Sequence, residues 1–354
     1  MKLPRITILA TLLLTVPAAA QLQITPPAAT PSAPAEKQKA KPPAPAKKKE
    51  AAPAPKPSAS PKPALPATVI PAPPTDNSNV DLVYGAYQRG QYKTAFELAT
   101  ARAQAGDPKA MTMLGELYSN AMGIRRDYAK ALEWYKRASD AGDREAMFAL
   151  AMMRIAGRGG PVDKGEAVKL MASAAKLGEP KAAYNLALLY LDGQTLPQDV
   201  KRSAELLRQA ADAGLPEAQY ALATFYKEGT GVPKDPERAV RLLQAATLTD
   251  NVDAEVEYAI ALFNGTGTPK NQPAAVALLR KASRQGSAIA QNRLAWVLIN
   301  GMGTSVDKVE GFKWHLVAKT AGKGDPELDK QLSDLSAEDR AKAEAAARKW
   351  LGTK

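Results

Sequence analysis

From about residue 107 onward, apolar and small residues recur along the chain with two superposed periods. The shorter period is that of a helix face. Ala110, Leu114, Leu117 and Tyr118 fall at i, i+4, i+7 and i+8, and Ala131, Trp134, Tyr135 and Ala138 at i, i+3, i+4 and i+7. This spacing predicts one helix over roughly 108–120 and a second over roughly 127–141. Polar residues fill the other faces, so each helix offers one stripe to a partner helix.

The longer period is 36 residues. At that interval lie Ala110, Ala146, Ala182, Ala218, Ala254 and Ala290, and then Leu114, Leu150, Leu186, Leu222, Tyr258 and Leu294. Beside the large column runs a small one: Gly115, Ala151, Ala187, Ala223, Ala259 and Ala295. In the second helix, Ala138, Ala174, Ala210, Ala246, Ala282 and Ala318 form another. Small side chains let two helices cross closely, whereas a bulky one forces them apart. Each unit stops at Gly142, Gly178, Gly214, Asp250, Gly286 or Gly322, suited to a left-handed helix end except where Asp250 replaces the glycine. Asp127, Asp163, Asp199, Asp235 and Asp307 stand where second helices begin, as N-caps. Six units run through 107–324 without insertion. Such a repeat predicts an all-α solenoid, a superhelix of stacked helix-turn-helix units. Solenoid ends need covers. Residues 79–106 read as a degenerate preceding pair, with Ala95, Leu98 and Gly106 on the repeat columns. Residues 325–354 read as a helical cap, in which Ser336-Ala337-Glu338-Asp339 opens a helix to about Trp350.

The units resemble the Sel1-like repeat family, a relative of the tetratricopeptide repeats. EAQYALATFYKEGTGVPKDPERAVRLLQAATLTDN (217–251) carries the Leu-Ala pair, the Tyr, the Gly-x-Gly loop, the Asp and the Ala-Ala pair of that pattern. Gln194-Thr195 departs from it where a Gly-x-Gly loop would finish. The resemblance implies a protein–protein interaction module, often in envelope signalling, such as restraint of a sensor kinase's periplasmic domain. It also implies a ligand-contacting concave face on the first helices.

The first quarter of the chain is of a different kind. Lys2 and Arg5, the apolar run Ile6 to Val16 and Ala18-Ala19-Ala20 form a secretory signal pattern, with cleavage expected before Gln21. An eleven-residue helix rises only about 17 Å, too little for a hydrocarbon core of about 30 Å. The expectation is therefore an exported, periplasmic protein with no transmembrane segment after cleavage. Residues 21–78 hold sixteen Pro, eight Lys and no aromatic residue. Such a composition predicts a disordered, semi-rigid tether, able to touch peptidoglycan or another anionic surface through its lysines. Residues 1–78 carry ten basic and three acidic residues of a chain whose net charge is +12. The repeats are nearly balanced in charge and do not predict a nucleic-acid surface. With no cysteine, disulfides, thiolate zinc sites and cysteine nucleophiles are impossible.

Nothing in the motifs predicts a cofactor, a metal or a catalytic centre. His315, the single histidine, lies in the core column of Tyr135, Met171, Leu207, Leu243 and Leu279. The Gly-x-Gly pairs at Gly157/Gly159, Gly229/Gly231, Gly265/Gly267 and Gly301/Gly303 lie between helices, whereas a phosphate loop follows a strand. They read as turns. Glu255 and Glu257 read as a solvated face. More informative is a second apolar stripe on the first helices. It either packs against the neighbouring unit or lines the concave groove, and both readings stay open. Its large members Phe148, Met152, Tyr184, Leu188, Tyr220, Ile260, Phe263 and Trp296 are the candidate partner-binding residues, since buried aromatics dominate binding energies. The expected function is a periplasmic interaction scaffold or regulatory adaptor. A cell-wall protein held by its lysine-rich linker is the alternative, and an envelope hydrolase a third.

Overall fold

The computed structural model describes residues 80–352. The expected signal (1–20), its cleavage before Gln21 and the expected tether (21–78) lie outside the described residues. Among the described residues there are sixteen helices and no strand. Helices α1 (Val80–Gln88) and α2 (Tyr92–Gln104) form an opening hairpin. Six regular hairpins follow: α3 (Pro108–Asn120) with α4 (Tyr128–Asp140), α5 (Arg144–Ala156) with α6 (Lys164–Lys176), and α7 (Pro180–Asp192) with α8 (Val200–Asp212). Then come α9 (Pro216–Glu228) with α10 (Pro236–Thr247), α11 (Val252–Asn264) with α12 (Gln272–Arg284), and α13 (Ala288–Ile299) with α14 (Lys308–Thr320). The chain closes with α15 (Pro326–Ser333) and α16 (Ala337–Gly352). Consecutive helices pack on one another from α1 to α14, as in a solenoid, and α16 packs back on α14.

The chemistry at each helix start explains this regularity. The side chains of Asp127, Asp163, Asp199, Asp235 and Asp307 each accept a hydrogen bond from a first-turn backbone N–H at 2.9–3.0 Å. Asn271 does the same for α12 at 3.1 Å, completing the set. First helices are capped too, by Asp107, Asp143, Glu179, Asn251 and Ser287, but Leu215 gives α9 no side-chain cap. Each such cap contributes about 1 kcal/mol. At the unit ends the glycine column has positive φ, and Asp250 adopts the same left-handed geometry at φ 56°. There its carboxylate meets Lys281 Nζ at 2.7 Å.

The alanine columns are the seams of the structure. Ala138, Ala174, Ala210, Ala246, Ala282 and Ala318 are all inaccessible to solvent, as are Ala146, Ala182, Ala218, Ala254 and Ala290. Where one partner is larger, the other is smaller. Gly115 lies against the Tyr135 ring, so close that a β-carbon on Gly115 would sit 2.6 Å from Tyr135 Cδ1. At the equivalent positions of the next units stand Ala151 and Met171, then Ala187 and Leu207, all buried.

The two ends differ. At the first, Ala86, Ala95 and Leu117 bury together under α1 and α2, and Tyr87 donates its hydroxyl to Glu116 Oε1 at 2.8 Å. At the last, α13 is enclosed from Ala290 to Ile299, all but its first two residues. Helix α16 begins behind Ser336, whose hydroxyl accepts from the Asp339 N–H at 3.1 Å. It lays Trp350 edge-on against Trp314, with ring centroids 5.0 Å apart. Helix α15 is an additional element that the sequence pattern did not predict; it seats the fully buried Leu328 in this core. Among the described residues no helix is long and apolar enough to cross a membrane.

The size pairing at the seam gives a direct test. Gly115→Ala should destabilise by about 1–3 kcal/mol through overpacking. Adding Tyr135→Leu, which recreates the Ala187–Leu207 pair, should recover most of that loss. Urea unfolding midpoints of the two variants measure both effects.

Candidate functional site

The second stripe lies on one face of the first helices, and its environment changes along the array. Phe148, Met152, Tyr184, Leu188, Tyr220 and Ile260 are half-buried. Phe148, Met152, Tyr184 and Tyr220 rest one side on the core that runs from Ala151 to Ala254. Each of these four packs on that core and keeps part of its surface exposed, and Phe148 also lines the groove described below. Phe263 and Trp296 do not share this position. Their exposures are 4% and 8%, and they belong to the C-terminal core. The physical reason is the chain end. Trp296 Nε1 donates to Asp325 Oδ2 at 2.9 Å, and Asn292 Nδ2 donates to the Lys323 carbonyl at 3.2 Å. The segment leading into α15 thus covers this face of α13, so Trp296 is core there and unavailable as a binding anchor. Phe263, from α11, is buried beside it in the same core.

At the other end the face opens into a groove of about 530 Å³ spanning α3, α5, α7 and the turn into α9. Phe148 and Ala149 give it an apolar wall, and Glu116, Glu145 and Glu179 carry carboxylates into it. Glu179 is only 6% exposed; burial raises its carboxyl above the ordinary carboxylate value. One of its oxygens accepts from the Lys181 N–H at 3.3 Å, and Arg144 Nε approaches the other at 3.8 Å. The Arg144 guanidinium is also engaged elsewhere, donating to the Leu177 and Gly178 carbonyls at 3.2 and 3.1 Å. Tyr135 forms part of the floor, its phenol pushed up to about 12 by burial. Further along, the Tyr184 and Tyr220 phenols are also raised, first by burial and then by the charges of Glu217 and of Glu257 and Asp253. Sequence columns located Phe148 and the tyrosines, and Glu116 stands in the column of Met152 and Leu188, but Glu145 and Glu179 lie on no column of the stripe. No signal within a single helix face joins those three.

The other sequence features resolve into packing. His315 is wholly buried, as its column requires, with Nε2 2.9 Å from Asp329 Oδ1. Lys319 Nζ reaches the same oxygen at 2.7 Å. This trio pins α15 to α14, with the His315 ring inside the packing. The second glycines of the Gly-x-Gly loops press on the preceding unit: a β-carbon on Gly159 would meet the Tyr128 carbonyl at 2.3 Å, and one on Gly267 the Pro236 carbonyl at the same distance. They serve close approach between units. Glu255 corrects the sequence reading. It is fully buried rather than solvated, with Oε1 2.7 Å from Lys281 Nζ, because its side chain points into the junction with α12. Glu257 is partly covered and pairs with Lys227 at 2.8 Å. Among the described residues no group of His, Asp and Glu is placed to hold a metal ion.

Comparison with known proteins bears on this geometry. The Sel1 repeat pattern matches residues 108–143, 144–179, 180–215, 216–248, 252–287 and 288–323. Among solved structures, the chain is similar to a protective antigen present in uropathogenic Escherichia coli strains and displaying an SLR fold. That likeness has 26% identity and a TM-score of 0.66, covering 77% of this chain and 60% of that one. It is also similar to a Sel1 repeat protein from Oxalobacter formigenes, with 27% identity and a TM-score of 0.61, covering 68% of this chain and 99% of that one. No curated protein matches the chain.

The trio at Asp329 predicts a pH dependence. Hydrogen bonds from Lys319 and then His315 hold its carboxyl below the ordinary value of 3.8. A lowered carboxyl pKa stabilises the fold above that ordinary value, and the contribution is lost as pH falls through the folded value. The thermal midpoint should therefore fall on acidification below pH 4 or so. Asp329→Asn should lower the midpoint at neutral pH and make that acid decline shallower, as read by circular dichroism.

Proposed function

Because the chain belongs to the Sel1 repeat family, whose repeats generally mediate protein–protein interaction and whose scaffolds are typically non-enzymatic, we propose that it is a periplasmic binding scaffold or regulatory adaptor. It holds one protein partner, a sensor or another envelope protein, against the first-helix groove, and it performs no chemistry of its own. The observation that carries this reading is the half-open stripe Phe148, Met152, Tyr184, Leu188 and Tyr220 beside the groove, while at equivalent positions further along Val256, Asn292 and Trp296 are buried and Ile260 stays half-buried. Solenoids offer binding surfaces of this kind along successive units. The periplasmic assignment draws support from the signal pattern of residues 1–20.

Crosslinking in intact cells, from a photoreactive residue at position 149, identifies the partner. Phe148→Ala and Tyr184→Ala should each weaken its capture about tenfold or more, as at an aromatic hot spot. Phe225→Ala in the core should instead lower the thermal midpoint and leave capture by the folded fraction intact. Equal capture by the groove variants and the parent overturns the assignment of the groove. Recovery of the protein in the cytoplasmic fraction overturns the compartment.

A further inference from the structure

We infer that the groove takes an extended segment of the partner bearing lysine or arginine side chains, an inference that rests on the partner-binding reading above and names the chemistry of the bound segment. The floor and the rim of the groove differ in charge. Toward the floor, Glu116 and the buried Glu179 present carboxylates. Arg144 donates to the Leu177 and Gly178 carbonyls and reaches Glu179 at 3.8 Å, and the charges of Arg144 and Lys181 offset only part of the effect of burial on that carboxyl. Glu116 is held by a neutral donor, the Tyr87 hydroxyl, so its charge is not compensated by that bond. At the exposed rim the signs are mixed, with Glu145 beside Lys181.

The acidic character continues past the groove. Glu217 and Asp253 stand at the equivalent rim position of α9 and α11, close enough to raise the Tyr184 and Tyr220 phenols. Lys227 is committed to Glu257 at 2.8 Å. A ligand lying across successive first helices therefore meets carboxylates alternating with the faces of Phe148, Tyr184 and Tyr220. Cationic side chains suit both, through ion pairs and through ring faces. The feature that favours an anion instead is the first turn of α9, which Leu215 leaves without a side-chain cap.

The chain as a whole carries +12. Its general field repels a basic peptide, so any attraction has to be local to the groove. That makes the test sharp. The full-length protein is titrated by fluorescence anisotropy with two labelled peptides, (Lys-Pro-Ala)4 and (Glu-Pro-Ala)4, at about 20 and about 300 mM salt, on either side of effective screening. The lysine peptide should bind at low salt and release at high salt. The double variant Glu116→Gln, Glu145→Gln keeps the acceptor for Tyr87 and should weaken this binding about tenfold. Failure of the lysine peptide to bind at low salt overturns the inference, as does lysine-peptide binding that the double variant leaves unchanged. Partner crosslinking separates the two proposals. If capture is lost in Phe148→Ala but kept in the double glutamine variant, the groove binds its partner and the basic specificity is wrong. If neither variant affects capture, the groove reading itself fails.

Discussion

The close crossing of helices at the alanine seams is the constraint on which the rest of this structure depends. Helix axes approach to about 8–10 Å only where side chains at the contact are small. Here that requirement is met at the same positions in every unit. Once the seams are set, the large residues have one place to go. Leu114, Leu186 and Leu222 fill the space between the two helices of a hairpin, and Met171, Leu207 and Leu279 fill it from the other side. The Gly-x-Gly loops extend the same logic to the junction between units. Gly159, Gly231 and Gly267 touch backbone of the preceding unit where a β-carbon could not fit. Pitch, core and loop path thus follow from where the chain omits side-chain atoms.

Much of the repeat architecture was legible because it is local and periodic. The helix over 108–120 and its neighbour near 128–140 follow from spacing alone, and five aspartate caps were readable as residues preceding an apolar run. What the pattern could not express was contact between distant segments. Trp296 sits in the same column as Met152 and Leu188, and nothing in that column reveals that Asp325 folds across it. Glu255 looked like a surface charge because its helix neighbours are charged; its burial arises from Lys281, on the facing helix. The acidic floor of the groove has the same origin. Glu116, Glu145 and Glu179 come from different helical positions, and only stacking brings them to one hollow.

The array is therefore graded from one end to the other. In its early units the first-helix face is half-open, with aromatic rings seated on the core and carboxylates beside them. In its last units the equivalent face is filled by Trp296, Ile299 and the segment before α15, and the trio of His315, Lys319 and Asp329 fastens that cover down. The binding surface and the rigid foundation are thus made from one repeating sequence pattern. What distinguishes them is whether the chain continues past the face or folds back over it.

The uninterrupted pitch has a consequence for how such a molecule can change. Every junction from α4/α5 to α12/α13 is built from the same small-residue contacts, and both specialised covers lie outside the repeats. Gain or loss of a whole unit between them leaves each terminus with its own lid and adds or removes a full complement of seams. The span of the recognition surface is accordingly a quantised property. It grows by duplication in steps of one hairpin, while fractional steps would set alanine against leucine and jam the stack.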